Sequence, residues 1–243
     1  MFFPERIKSI KESDRVLEIG PGSSPLPRSD ILLDKKFEDK EAFKQRGNQP
    51  KIEYDRPIYY YDGLNFPFKD NEFDYVICSQ VLEHVPIDEF DNFIKEVERV
   101  AGRGYIEVPR LFYDYLFNFY EHKWLINFKK GELVLLDKTK VEFSRIQDVF
   151  YLMFKYGVKN NKITLIKDFA DLFMIGYEWK AQINYRIVNH LDELISDEDV
   201  VYYRDYFKVS DEKKPDVYKK RTLSKRIRGK VPGILKRIRR KIR

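Results

Sequence analysis

Val16-Leu17-Glu18-Ile19-Gly20-Pro21-Gly22 is the stretch whose reading decides the fold of this chain. Three of its first four residues are apolar and follow directly on Asp14-Arg15, as suits the first strand of a buried parallel sheet. Gly20 and Gly22 then permit a tight turn and let a ligand approach bare backbone. In open α/β sheets, nucleotide-type ligands sit at that place, just beyond the carboxyl ends of the strands. A G-x-G turn is also compatible with a plain turn, so the reading rests on what surrounds it.

Further along, short apolar runs recur. Ile31-Leu32-Leu33 reads as a second strand ending at Asp34, and Ile58–Tyr61 as a third ending at Asp62-Gly63. Tyr75–Ser79 reads as a fourth and Tyr105–Val108 as a fifth. Between the last two, Phe90, Phe93, Ile94, Val97 and Val100 recur at threes and fours and predict a helix over Asp88–Val100, with Gly102 and Gly104 at its end. This alternation predicts an α/β fold, a Rossmann-like and mostly parallel sheet. Residues 163–189 are expected to return to that sheet, with Tyr185–Val188 as a late strand and Asp192–Phe207 as a helix.

Two departures shape the expectation. Only 14 residues separate Gly20 from Asp34, and Pro25 and Pro27 lie between them. A dinucleotide-binding unit places its acidic residue about 20 residues on, after a full crossover helix. The first crossover is therefore shortened, and the helix N-terminus that would hold a pyrophosphate is missing. The second departure is an aromatic insert after the fifth strand, residues 110–160. It contains a hairpin from Trp124–Phe128 and Leu133–Leu136 and a helix over Arg145–Tyr156, and it is expected to cover the ligand edge of the sheet.

In this order, the motifs resemble those of the class I S-adenosyl-methionine-dependent methyltransferases, the type 11-like group with small-molecule and glycan acceptors. The resemblance covers roughly residues 12–109. Val16 to Gly22 is similar to the glycine-rich first motif, and Asp34 stands where the family places an acid on the ribose hydroxyls. Asp62-Gly63-Leu64 resembles the segment beside the adenine. Phe73-Asp74-Tyr75-Val76-Ile77-Cys78-Ser79-Gln80-Val81-Leu82-Glu83-His84-Val85 resembles the fourth-strand motif. The resemblance implies S-adenosyl-L-methionine as cofactor, held by Glu18, Gly20, Gly22, Asp34, Asp62, Gly63, Leu64, Ser79 and Gln80. For Glu18 the alternative is to hold the backbone amides of the turn. S-adenosyl-methionine has no phosphate, so the lost helix N-terminus is tolerated.

An alcohol acceptor benefits from a general base near neutrality, and His is the usual choice. Among the three histidines, His122 lies in a polar cluster within the aromatic insert and is the candidate acceptor base. His84 follows the fourth strand beside the expected methyl position, the alternative being a helix cap. His190 is read as structural. Glu107 ends the fifth strand and is a candidate for binding an acceptor hydroxyl. No C-x-x-C or H-E-x-x-H spacing occurs, so the expected reaction uses no metal, with an acidic Mg site as the alternative.

Composition sets the surroundings. Cys78 is the single cysteine, so no intramolecular disulfide forms. No apolar run reaches about 18 residues, and the N-terminus lacks a signal-peptide core; a cytoplasmic protein is expected. Net charge is +6, yet residues 219–243 hold 13 Lys or Arg and no acid, leaving 33 bases against 40 acids before them. In this tail Leu223, Ile227, Val231, Ile234, Leu235, Ile238 and Ile242 recur at helical spacing. That pattern suits a basic amphipathic helix on an anionic membrane surface, at the inner membrane face, with a disordered tail or nucleic-acid binding as alternatives. The acidic main domain disfavours nucleic acid. The chain is thus expected to comprise a methyltransferase domain, 1–215, and a basic tail, 216–243. A sugar hydroxyl of a cell-surface or lipid-linked glycan is the expected acceptor. The alternatives are an inactive methyltransferase-like module recruited to membranes and an RNA or small-molecule methyltransferase.

Overall fold

The computed structural model describes residues 1–36, 53–152, 166–167, 169–196 and 199–200. The chain divides into Met1–Ile195 and Ser196–Arg243, and the account below concerns the first unit. The basic tail lies outside the described residues, as does the end of the helix expected over Arg145–Tyr156.

Strands β1 (Val16–Ile19), β2 (Ile31–Lys35), β3 (Ile58–Tyr61), β4 (Tyr75–Ser79) and β5 (Arg103–Pro109) form the parallel part of the main sheet. Strand β8 (Met174–Lys180) joins β5 antiparallel, giving the order β3-β2-β1-β4-β5-β8. The sheet is therefore Rossmann-like and mostly parallel. Side chains alternate across it. Leu17, Ile19, Leu33, Val76, Cys78, Ile106 and Val108 face one side, where α1 (Phe90–Val100) covers them with Phe90, Phe93, Ile94, Val97 and Val100. Val16, Tyr75, Ile77 and Tyr105 face the other side, against Met1, Ile7, Ile10 and Leu26. No helix lies between β1 and β2: residues 20–30 run as turns and bends. The N-terminal segment and this loop cover the face that a crossover helix would otherwise cover.

Behind β5 come α2 (Leu111–Phe117), the hairpin β6 (Trp124–Lys129) and β7 (Glu132–Asp137), and α3 (Arg145–Leu152). Lys130 and Gly131 turn the hairpin with positive φ at both positions, the geometry that matches strand twist. The hairpin buries both faces. Trp124, Ile126, Leu133 and Leu135 join the main core, and Leu125, Val134 and Leu136 pack with Leu111, Val188 and Leu194.

Three expectations are corrected. The strand that returns to the main sheet is Met174–Lys180, whereas β9 (Tyr185–Val188) pairs parallel with β7 in a second, three-stranded sheet. Gly176 makes the return possible, because a Cβ there would lie 2.3 Å from Tyr105 Oη. The helix expected over Asp192–Phe207 is interrupted: α5 (Leu191–Leu194) gives way to extended backbone at Ile195, and residues 199–200 are helical again; residues 197–198 and 201–207 lie outside the described residues. A four-residue helix, α4 (Ala170–Phe173), precedes β8.

The third correction concerns Gly104, which stands inside β5 and does not end α1. A Cβ there would lie 2.3 Å from the Val76 carbonyl oxygen and 2.6 Å from Val76 Cγ1. Gly104→Ala must part β4 from β5 and is expected to destabilise by about 1–3 kcal/mol, the range for overpacked cores. Urea melts should show a lower midpoint with an unchanged slope.

Candidate functional site

The order β3-β2-β1-β4-β5 reverses direction between β1 and β4, and a crevice opens at the carboxyl ends of strands at such a switch point. A cleft of about 720 Å³ lies there. Its floor is made by residues at the strand ends: Gly20 and Gly22 after β1, Asp34 and Lys35 in β2, Ser79 at the end of β4 and Gln80 after it.

Local sequence explains these positions. Gly20 has φ +63°, and a Cβ on it would lie 2.4 Å from Val81 Cγ2, so the turn needs glycine twice over. Gly22 has φ +56° and open space around it, so its backbone is bare toward the cleft. The Gly20 N–H donates to the Leu33 carbonyl at 2.8 Å, tying the turn to β2. Gln80 also takes a left-handed backbone, φ 59°, and its N–H donates to the Glu107 carbonyl. The Asp34 carboxylate reaches the cleft from the second strand with its Oδ1 near its neighbour's N–H, Lys35.

Other expected cofactor residues stand elsewhere. Glu18 is buried and absent from the cleft wall. Its Oε2 accepts from the Leu26 N–H at 2.8 Å and the Ser29 hydroxyl at 2.5 Å, and burial pushes its carboxyl above the usual range. It holds the helix-free loop in place, the second of the two roles read for it. Asp62 is exposed and spends its carboxylate on the N–H groups of Leu64 and Asn65, an Asx turn that also lowers its pKa. Leu64 is exposed, and Gly63 packs on the Lys35 side chain. None of Asp62, Gly63 and Leu64 lines the cleft.

Glu107 is fully buried. Its carboxylate accepts from the N–H groups of Phe2 and Phe3 at 2.7 and 3.0 Å, from the Ser79 hydroxyl at 3.0 Å and from the Tyr105 hydroxyl at 3.1 Å. With its lone pairs so engaged, it has no capacity for an acceptor hydroxyl. Glu107 stands two residues inside the end of β5, and the N-terminal segment folding over it is what the sequence did not disclose.

The histidines part company in the same way. His84 lines the cleft, and burial holds its pKa down to about 3, so it is neutral. His122 is 11 % exposed and stands off the cleft wall, its Nδ1 2.6 Å from Asp114 Oδ1. Burial lowers its pKa, but the charge and hydrogen bond of Asp114 outweigh that and the net shift is upward. His190 precedes α5 and exchanges capping bonds with Glu193. The insert residues that do reach the cleft are Tyr120, Glu121 and Lys123. Sequence reasoning passed over Lys35 and Glu89, which pair at 2.8 Å on the cleft wall; nothing in their local pattern marks them.

The fold and this cleft define a Rossmann-like α/β domain built to take a nucleoside-type cofactor without a phosphate cradle. Residues 31–106, from β2 into β5, match the family model described as a methyltransferase domain. Such a domain implies S-adenosyl-methionine as the methyl donor. A curated relative, norajmaline N-methyltransferase of Rauvolfia serpentina, is 38% identical over 61 residues, which are 25% of this chain and 19% of that protein. The chain thus spans about a fifth of that relative's length. Among solved structures, an S-adenosyl-methionine-dependent methyltransferase of Methanosarcina mazei is 20% identical, with a TM-score of 0.34 over 50% of this chain and 69% of that one. One from Mesorhizobium loti is 14% identical, with a TM-score of 0.36 over 70% and 92%. Among the described residues no helix is long and apolar enough to cross a membrane.

Proposed function

We propose that this chain is an S-adenosyl-methionine-dependent methyltransferase whose acceptor is a sugar hydroxyl of a cell-surface or lipid-linked glycan. The observation that carries the first half is the convergence of Gly20, Gly22, Asp34, Ser79 and Gln80 on one cleft at the switch point of the sheet. Asp34 is suited to accept two charge-assisted hydrogen bonds from a ribose diol. Gly20 and Gly22 let the ligand lie against backbone, and the loop after them offers no helix N-terminus to a phosphate. The residues present therefore fit the methyl donor, which when bound supplies an electrophilic methyl group.

The chain's own task is to hold the acceptor in line, exclude water and receive a proton. Tyr120, Glu121 and Lys123 bring an aromatic face, a carboxylate and an ammonium to the acceptor end, a set that suits a sugar ring. Glu121 is placed to accept a hydrogen bond from the acceptor hydroxyl in this reading. His122 stands off the wall and is bound to Asp114, and a neutral His84 with a pKa near 3 is a poor base. Isothermal titration with S-adenosyl-homocysteine is expected to show one site per chain. Absence of binding by folded protein would overturn the reading.

The short match to norajmaline N-methyltransferase favours a second reading, a small-molecule amine acceptor. Transfer of labelled methyl from S-adenosyl-methionine to glycan fractions, set beside a panel of cyclic amines, separates the two. For the tail, 13 basic and no acidic residues in 219–243 support an anionic membrane surface as partner. Full-length chain is expected to sediment with vesicles containing phosphatidylglycerol and to release in high salt. Equal sedimentation with neutral vesicles would count against it.

A further inference from the structure

At the cleft wall and just behind it, four side chains to which the reading above gives no catalytic part come together. Glu83 is completely buried, and neither of its carboxylate oxygens has a hydrogen-bond partner. The Nδ1 atom of His84 and the Oδ2 atom of Asp114 are buried and unpartnered as well. The two histidine rings meet edge to face with centroids 4.6 Å apart. One ligand atom from each of Glu83, His84 and His122 lies within 4.8 Å of the others.

A buried carboxylate without partners is too costly to be left so. Protonation resolves it only in part, because a single O–H can meet one acceptor and leaves the other Glu83 oxygen unpartnered. A cation held by Glu83, His84 and His122 gives a partner to the Glu83 carboxylate and to His84 Nδ1 at once. The orientation of the rings agrees. His84 hydrogen-bonds the Glu121 backbone, so its Nδ1 is the nitrogen turned inward. His122 gives Nδ1 to Asp114, so Nε2 is the nitrogen left to bind. A ligand histidine that donates its second N–H to a carboxylate or a carbonyl is the usual pattern at metal centres.

We propose that Glu83, His84 and His122 bind a first-row divalent cation of the zinc class, with Asp114 as the positioning residue behind His122. Two imidazoles and one carboxylate suit zinc or cobalt; magnesium and calcium prefer all-oxygen sites. A tetrahedral ion with bonds of about 2.1 Å spaces its ligands about 3.4 Å apart, so binding draws these three side chains inward. The ion would pin the turn after β4 to the start of β6. The Lys123 N–H already donates to the Glu83 carbonyl at 2.6 Å, and Trp124 Nε1 to the Val85 carbonyl at 2.9 Å. The two walls of the cleft, one from the sheet and one from the insert, are joined at this point.

The test uses full-length chain stripped with a chelator, its fold checked by circular dichroism. Titration with zinc chloride is expected to show one equivalent bound and a raised melting temperature, and cobalt(II) to give visible bands of a four-coordinate site. Glu83→Gln and His122→Ala should each weaken zinc at least about 100-fold, and Asp114→Asn about 10- to 100-fold, the range for supporting residues. His190→Ala should leave the affinity unchanged, and magnesium should not compete. Folded wild-type chain that binds neither zinc nor cobalt overturns the proposal. So does zinc affinity that survives both Glu83→Gln and His122→Ala. S-adenosyl-homocysteine titrated into the stripped protein reads the methyltransferase proposal separately, since the cleft floor contains none of the three ligands and only His84 among them lines the cleft.

Discussion

Asp34→Ala is expected to weaken S-adenosyl-homocysteine roughly 100-fold, the equivalent of about 3 kcal/mol, because two hydrogen bonds to a charged acceptor disappear together. Asp34 reaches the cleft from the end of β2, and its removal leaves the core untouched. The melting temperature of the unliganded protein should therefore hold while affinity falls. Asp62→Ala is the matched control. Its carboxylate closes a surface turn on Leu64 and Asn65, so affinity should stay within about twofold, as for surface changes in general. Calorimetric titration of both variants decides it. Equal losses would return Asp62 to the cofactor site, and no loss at Asp34 would remove Asp34 from it.

Glu107→Ala is expected to produce the largest loss of stability of any substitution considered. It strips a fully buried acceptor from the N–H groups of Phe2 and Phe3 and from the hydroxyls of Ser79 and Tyr105. Leaving several buried donors unpaired costs about 3–5 kcal/mol. For a chain of this size that lowers the melting temperature by about 10 °C. Affinity for S-adenosyl-homocysteine should fall too, since Ser79 and Gln80 lose their anchor beside the cleft. Glu107→Gln keeps one acceptor oxygen and should lose less. A variant with unchanged melting but no turnover would instead make Glu107 an acceptor-binding residue, as its strand-end position first suggests.

These two acids show what the sequence makes legible. Both read from the sequence as strand-end acids after apolar runs, so local pattern treats them alike. Asp34 is placed by its own strand, so position along the chain is enough to put it in the cleft. Glu107 is placed by residues 2 and 3, more than a hundred positions away, and no local pattern carries that. The five parallel strands and α1 are legible because each buries an apolar stripe of the right period. The exchange of Met174–Lys180 for Tyr185–Val188 in the main sheet was not. Both runs favour strand, and local pattern does not say which of them pairs with β5 and which with β7. Glu83 and His84 were visible as part of a motif, but their meeting with His122 and Asp114 depends on how the insert folds back.

The N-terminal cover over the sheet has a consequence in time. Its bonds are Phe2 and Phe3 to Glu107, Arg6 to Asp171 and Ser9 to Glu178. These partners lie between 104 and 169 positions further along the chain. Closing such distant contacts is entropically slow. This layer is thus expected to dock after β5 and β8 have paired, and to be the first to open in hydrogen exchange. Until this layer docks, the face bearing Tyr75, Ile77 and Tyr105 stands largely uncovered.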